Sequence, residues 1–211
     1  MKLPALDLLG EAALALPEEP LAQNLGVEEE PLAGLQYREE GAVAYLAFHF
    51  HNGAMETRQC RALAAALEAV GERKPRVLVL EGGRDFFSNG IHLGRIETAE
   101  DPAQESMANI EALDDAVEKL IRLTDCLTVA AVGANISAGG AFAAMACDVV
   151  LALRGAVWNP HYRNIGNLYG SEYWTYVLPR RVGEGRVKAI VDNLLPLGAE
   201  DALDLGIADE V

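Results

Sequence analysis

Apolar residues recur along this chain in two alternating rhythms. Short β-rich runs predict strands at residues 42–48, 76–81, 127–132 and 149–154. Between them, apolar residues fall three and four apart. Cys60, Leu63, Ala64, Leu67 and Val70 form one stripe and predict a helix over 57–70. Ile110, Leu113, Val117, Leu120 and Ile121 form another and predict a long amphipathic helix over 102–124. Further helices are predicted over 140–146, 171–178, 184–193 and 199–205, with Ser171 as an N-cap. Strand and helix alternate without a dinucleotide-binding fingerprint, a pattern that predicts a twisted α/β spiral.

Residues 1–40 follow a different pattern. Leu6, Leu8, Leu9, Ala13, Leu14 and Leu16 make a short helix-like stripe, but Pro4, Pro17, Pro20 and Pro31 cut the segment up. This reads as an acidic, proline-containing leader or linker over 1–40, the remnant of a fused two-domain ancestor, followed by one domain over 41–211. The leader carries −7 of the net charge of −15 and the remainder −8, so the acid excess is partly a property of the leader.

Charge and composition then remove several function classes. A net charge of −15 argues against nucleic acid as a partner. No apolar run reaches the ~18–20 residues that span a bilayer, and the N-terminus lacks the basic and apolar regions of a signal peptide. Cys60, Cys126 and Cys147 have no metal-like spacing and read as buried thiols, which fits a reducing cytoplasm. His49 and His51 flank Phe50 at a strand end without a third ligand, so no metal is expected. Trp158, Tyr169, Tyr173, Trp174 and Tyr176 read as one aromatic cluster, serving as core packing or a pocket wall.

Candidate chemistry lies at two strand ends about fifty residues apart. Residues 127–148 read LTVAAVGANISAGGAFAAMACD, where a strand breaks at Ser137-Ala138-Gly139-Gly140 and resumes as an Ala-rich helix. Upstream, Phe86-Phe87-Ser88-Asn89-Gly90-Ile91-His92-Leu93 follows a strand in the same way. Glycines at such junctions admit close backbone approach and leave N–H groups free to bind negative charge. Two such donors can hold the oxygen of a reacting carbonyl, which points to acyl chemistry.

These two motifs, in this order and spacing, resemble the crotonase (enoyl-CoA hydratase/isomerase) superfamily from about Tyr45 onward. The resemblance implies an α/β, crotonase-like ββα spiral, here C-terminally shortened because the chain stops at residues 206–211. It implies oxyanion donors at the N–H groups of Ile91 and Gly139. It implies coenzyme A binding around Ala54, Ser88, Asn89, His92 and Gly140. The family's two hydratase glutamates fall on Phe142 and His161. Phenylalanine cannot transfer a proton, so the sequence predicts no ordinary enoyl-CoA hydration.

A narrower resemblance replaces them. NPHY at 159–162, LYGSEYWTY at 168–176 and LPRRVG at 178–183, with GRDFFSNGIHL upstream, are similar to the C-terminal domain of HoxX-type hydrogenase-maturation proteins. That family also carries an N-terminal formyl-transfer domain and is thought to release carbon monoxide from formyl-CoA. The resemblance implies catalytic roles for Tyr162 and Glu172. One would remove the formyl proton; the other would donate to the departing thiolate or orient the group. It implies a coenzyme A thioester as substrate, no covalently bound cofactor, a separate formyltransferase partner and a homo-oligomer. A different crotonase reaction on a thioester (hydrolysis, decarboxylation or dehydration) and a non-catalytic binding or assembly module are the competing readings.

Overall fold

In this computed structural model, residues 34–162 and 170–211 are described. A five-stranded sheet forms the frame: β1 (Leu35–Glu40), β2 (Val43–Phe48), β4 (Val77–Glu81), β7 (Leu127–Val132) and β9 (Val149–Ala152) lie side by side in that order. β1 and β2 are antiparallel and form a hairpin, and the remaining neighbours are parallel. The parallel strands read VLVLE, LTVAAV and VVLA, the near-continuous apolar runs expected of strands covered on both faces.

One sheet face carries Leu46, Leu78, Ala130 and Val150, all fully buried. Against it pack α1 (Thr57–Arg73) and α3 (Pro102–Arg122), which also pack on each other. Both helices are capped at their start. The Glu56 backbone N–H donates to Gln59 Oε1 in a capping box, and Asp101 accepts from the Ala103 and Gln104 N–H groups just before Pro102. The opposite face has a smaller apolar cluster of Tyr45, Val79 and Ala131.

Each β–β–α turn of the chain contributes one strand to this sheet and one or two short strands beyond it. β4 is followed by β5 (Phe86–Ser88) and β6 (Gly90–Ile91), then by the short helix α2 (Leu93–Glu97). β7 is followed by β8 (Asn135–Ser137) and α4 (Ala138–Met145), and β9 by β10 (Trp158–Asn159). β5, β8 and β10 make a parallel three-stranded sheet, and β3 (Ala54–Met55) pairs with β6. This is the ββα spiral. Its short strands deliver residues 88–91 and 137–140 to one place. α5 (Trp174–Val182), α6 (Glu184–Asp192) and α7 (Ala199–Leu205) follow, and the last residues run back along β9, where Ala152 N–H donates to Glu210 O.

Three expectations are corrected. Residues 35–40 are a strand of the main sheet, so this part of the segment read as a leader belongs to the domain; the turn at Gly41 lets it pair with β2. Residues 1–33 lie outside the described residues. The helix after the second glycine motif begins at Ala138, two residues early. Ser171 caps no helix: Glu172 and Tyr173 adopt left-handed backbone first, and α5 starts at Trp174. The three cysteines are buried free thiols, as expected. Among the described residues no helix is long and apolar enough to cross a membrane.

Candidate active site

The two glycine loops meet backbone to backbone. A Cβ built on Gly90, which has φ +77°, would lie 3.0 Å from Gly139 N. On Gly140 it would collide with the Ser88 backbone carbonyl. Asn89 ties the region together: its Nδ2 donates to Asn52 O (2.7 Å) and its Oδ1 accepts from Ser137 Oγ (2.6 Å). Ser88 is buried, its Oγ donating to Gly53 O (3.2 Å) and accepting from Gly90 N (3.1 Å).

Strand pairing fixes the Ile91 amide. Met55 faces Ile91 in the β3–β6 register, and His92 N–H donates to Met55 O (3.0 Å). Consecutive strand amides alternate sides, so the Ile91 N–H turns away from β3. Gly139 is the second residue of α4, where helix N–H groups have no intrahelical acceptor. Ala138 ahead of it holds φ +46°, a left-handed conformation that costs about 1–3 kcal/mol in a non-glycine residue. Asn109 supports the same strand from α3. It is fully buried; its Nδ2 donates to Met55 O (3.0 Å) and its Oδ1 accepts from His92 N (3.2 Å).

Tyr162 and Glu172, ten residues apart, converge. The Tyr162 hydroxyl donates to Glu172 Oε2, which also accepts from Ser171 N–H (3.1 Å). The other carboxylate oxygen, Oε1, lies against Gly139, where a built Cβ would overlap it. Glu172 is 2% exposed. Burial above all raises its pKa over the ordinary carboxylate range. The nearby Asp114 charge adds to the rise; the bonds from Tyr162 and Ser171 oppose it. Burial, then the Glu172 charge, pushes the Tyr162 phenol well above its ordinary value. The carboxylate is thus more basic than usual, and the phenol stays protonated and donates. Phe142 stacks on the Tyr162 ring (5.5 Å between centroids), and Trp174 lies 6.4 Å from Phe142. Gly170 leaves the space that the Tyr162 ring fills.

The turn that carries Glu172 is strained. Glu172 and Tyr173 hold φ +49° and +54°, two consecutive left-handed non-glycine residues. Asp114 on α3 anchors it, its Oδ1 accepting from the Glu172 backbone N–H at 2.6 Å. Neither Asn109 nor Asp114 was singled out from sequence. Both look like ordinary polar positions of an amphipathic helix, and only their partners, far away in the chain, reveal them.

Other candidates take different places. His92 Nδ1 accepts from Arg95 N–H (3.2 Å), so the ring caps α2. Ala54 pairs with Gly90. His161 is buried, with neither ring nitrogen bonded among the described residues, and burial lowers its pKa, so it stays neutral at pH 7. The aromatic residues do not form one cluster. Trp158 lies in the core, Trp174 packs on Phe142, and Tyr173 and Tyr176 are exposed; Tyr169 lies outside the described residues. Among the described residues no group of three or more His, Cys, Asp or Glu is placed to hold a metal ion.

Residues 38–211 match the enoyl-CoA hydratase/isomerase family, and the chain belongs to it. Within that family it is a homologue of hydrogenase maturation factors. It is 47% identical to the hydrogenase maturation factor HoxX of Bradyrhizobium diazoefficiens over 211 residues, all of this chain and 36% of the relative. The crystal structure of HypX from Aquifex aeolicus in complex with tetrahydrofolic acid superposes with a TM-score of 0.84 at 43% identity, over 99% of this chain and 37% of HypX. The chain thus spans about a third of the length of these relatives. An enoyl-CoA hydratase from Bacillus halodurans shares the fold alone, with a TM-score of 0.75 at 20% identity over 84% of this chain and 72% of that one.

Proposed function

We propose that this domain binds a coenzyme A thioester and cleaves formyl-CoA to carbon monoxide and coenzyme A. The observation that carries this reading is the pairing of Tyr162 with the buried Glu172, set against Gly139 and beside a phenylalanine where hydratases keep a glutamate. The Ile91 and Gly139 N–H groups polarise the formyl oxygen. Glu172 Oε1 takes the formyl proton, the C–S bond breaks, and both electrons of that bond leave with the thiolate sulfur. The carbon and its oxygen depart as carbon monoxide. The proton returns to sulfur from the Glu172–Tyr162 pair, so the pair ends as it began. A formyl group has no other substituent to lose, so one base and one donor suffice.

The full two-step activity needs a formyl donor beyond these 211 residues, a role that fits a formyltransferase partner. The tetrahydrofolic acid bound by HypX supports that chemistry for the relative. A homo-oligomer belongs to the same reading.

The test supplies formyl-CoA directly and traps carbon monoxide on haemoglobin. Tyr162→Phe and Glu172→Gln keep shape and remove proton transfer, and each is expected to lower the rate ~10²–10⁴-fold with coenzyme A affinity nearly unchanged. Wild-type rates in both variants, or no carbon monoxide from the parent chain, would overturn the assignment and favour another thioester reaction or a binding module.

A further inference from the structure

Two carboxylates meet at the turn that carries Glu172, and only one of them has a role in the proposed chemistry. Asp114 belongs to α3, 58 residues away in sequence, yet its Oδ1 accepts the Glu172 backbone N–H at 2.6 Å. The Ser171 side chain bonds to the same carboxylate. Left-handed backbone at Glu172 and Tyr173 has no glycine to ease it, so an outside anchor must hold that shape. The same helix carries Asn109, which fixes Met55 and His92 beside Ile91. One rigid element therefore grips both halves of the site.

We propose that Asp114 is a positioning residue for the Tyr162–Glu172 pair, pinning the strained turn to α3 and presenting its negative charge to the Glu172 carboxylate. This rests on the proposed function only for its kinetic readout. Glu172 is faced by Tyr162 from the loop after β10, by Asp114 from α3 and by Cys60 from α1. Asp115 acts on Asp114, and Glu118 and Arg122 act on Tyr173. Asp114 is the like charge that acts on Glu172 among these groups, and it favours the protonated form of Glu172.

Two substitutions separate anchor from charge. Asp114→Asn keeps an oxygen for the Glu172 N–H and removes the charge. Glu172 should then ionise at lower pH, and the acid-side limb of carbon monoxide release should move with it. Asp114→Ala removes both. Its kcat should fall about 10²-fold, the scale of a roughly 1 Å misplacement, with KM nearly unchanged.

An independent readout is the carboxylic C=O infrared band of Glu172, assigned by its loss in Glu172→Gln and titrated in the full chain. In Asp114→Asn the midpoint of that band should shift to lower pH. An unmoved midpoint, or an Asp114→Ala protein with parental kcat or no more impaired than Asp114→Asn, overturns the proposal. Should the parent chain release no carbon monoxide, the proposed reaction fails, and the infrared titration still decides the role of Asp114.

Discussion

Residues 88–91 and 137–140 meet backbone to backbone, whereas Tyr162 and Glu172 meet side chain to side chain. The first half of the site works by leaving side chains out. Gly90 and Gly140 sit where any Cβ would strike main chain. The second half works by forcing side chains in. It buries a carboxylate against a partly buried phenol and holds the carboxylate's residue on left-handed backbone. Main-chain donors need only close approach, and glycine supplies it. A proton-transfer pair needs a tuned environment, and burial with a nearby like charge supplies that. Damage to the two halves should therefore look different.

The largest effects should come from the glycines. Gly140→Ala drives a Cβ into the Ser88 backbone, which cannot rotate away. It is expected to cost about 3 kcal/mol, the upper part of the usual overpacking range, in a denaturant melt. For Gly139→Ala the three atoms nearest the new Cβ all belong to the Glu172 side chain rather than to main chain. It should displace that carboxylate and abolish carbon monoxide release while the melt changes less than for Gly140→Ala. Gly133 and Gly155 have nothing within 4 Å of a built Cβ and serve as controls. Equal stability loss in Gly139→Ala and Gly140→Ala would break the comparison.

Next comes the support from α3. Asn109→Ala removes the side-chain bonds to the Met55 carbonyl and the His92 N–H, which still bond to each other. A typical intramolecular hydrogen bond contributes about 0.5–1.5 kcal/mol, so loss of the two is expected to cost about 1–3 kcal/mol. The melt of Asn109→Ala should show it. A variant as stable as the parent would mean that β3 and β6 hold themselves.

How much of this was legible in the sequence also divides along that line. The frame was. β4 and β7 are apolar runs, and the stripes of α1 and α3 recur at helical spacing, so local pattern and burial agree. The glycine motifs were legible because only glycine tolerates such close approach, which leaves a mark in composition. The pairing of Tyr162 with Glu172 came from a resemblance, and the structure brings those two side chains together. The two- and three-residue strands β3, β5, β6, β8 and β10 were missed, being too short to carry a period. β1 was missed because its register is set by β2 rather than by its own residues. Asn109 and Asp114 were invisible because their partners are 54 and 58 residues distant.

The smallest effect tests whether Glu172 is stored at a stability cost. Its folded-state pKa is raised, so the folded protein binds its proton more tightly than the unfolded chain does. The stability contributed by the protonated form is fully present below the unfolded value of about 4.3 and is lost as pH rises through the raised folded value. Glu172→Gln has no proton to lose and can still accept from Tyr162. Its melting temperature relative to the parent should therefore climb across that window and level off above it. Glu81, also raised by burial, remains in both proteins and largely cancels in the difference, whereas Asp114 is coupled to Glu172 and its like-charge repulsion acts in the same direction. Paired melts from about pH 4 to pH 8 read it directly. A difference that stays flat with pH would mean that the carboxylate is solvated more freely than its burial implies. A parent that gains on the variant as pH rises would mean that Tyr162 and Ser171 outweigh burial, and Glu172 would then be a weaker base than the proposed chemistry asks for.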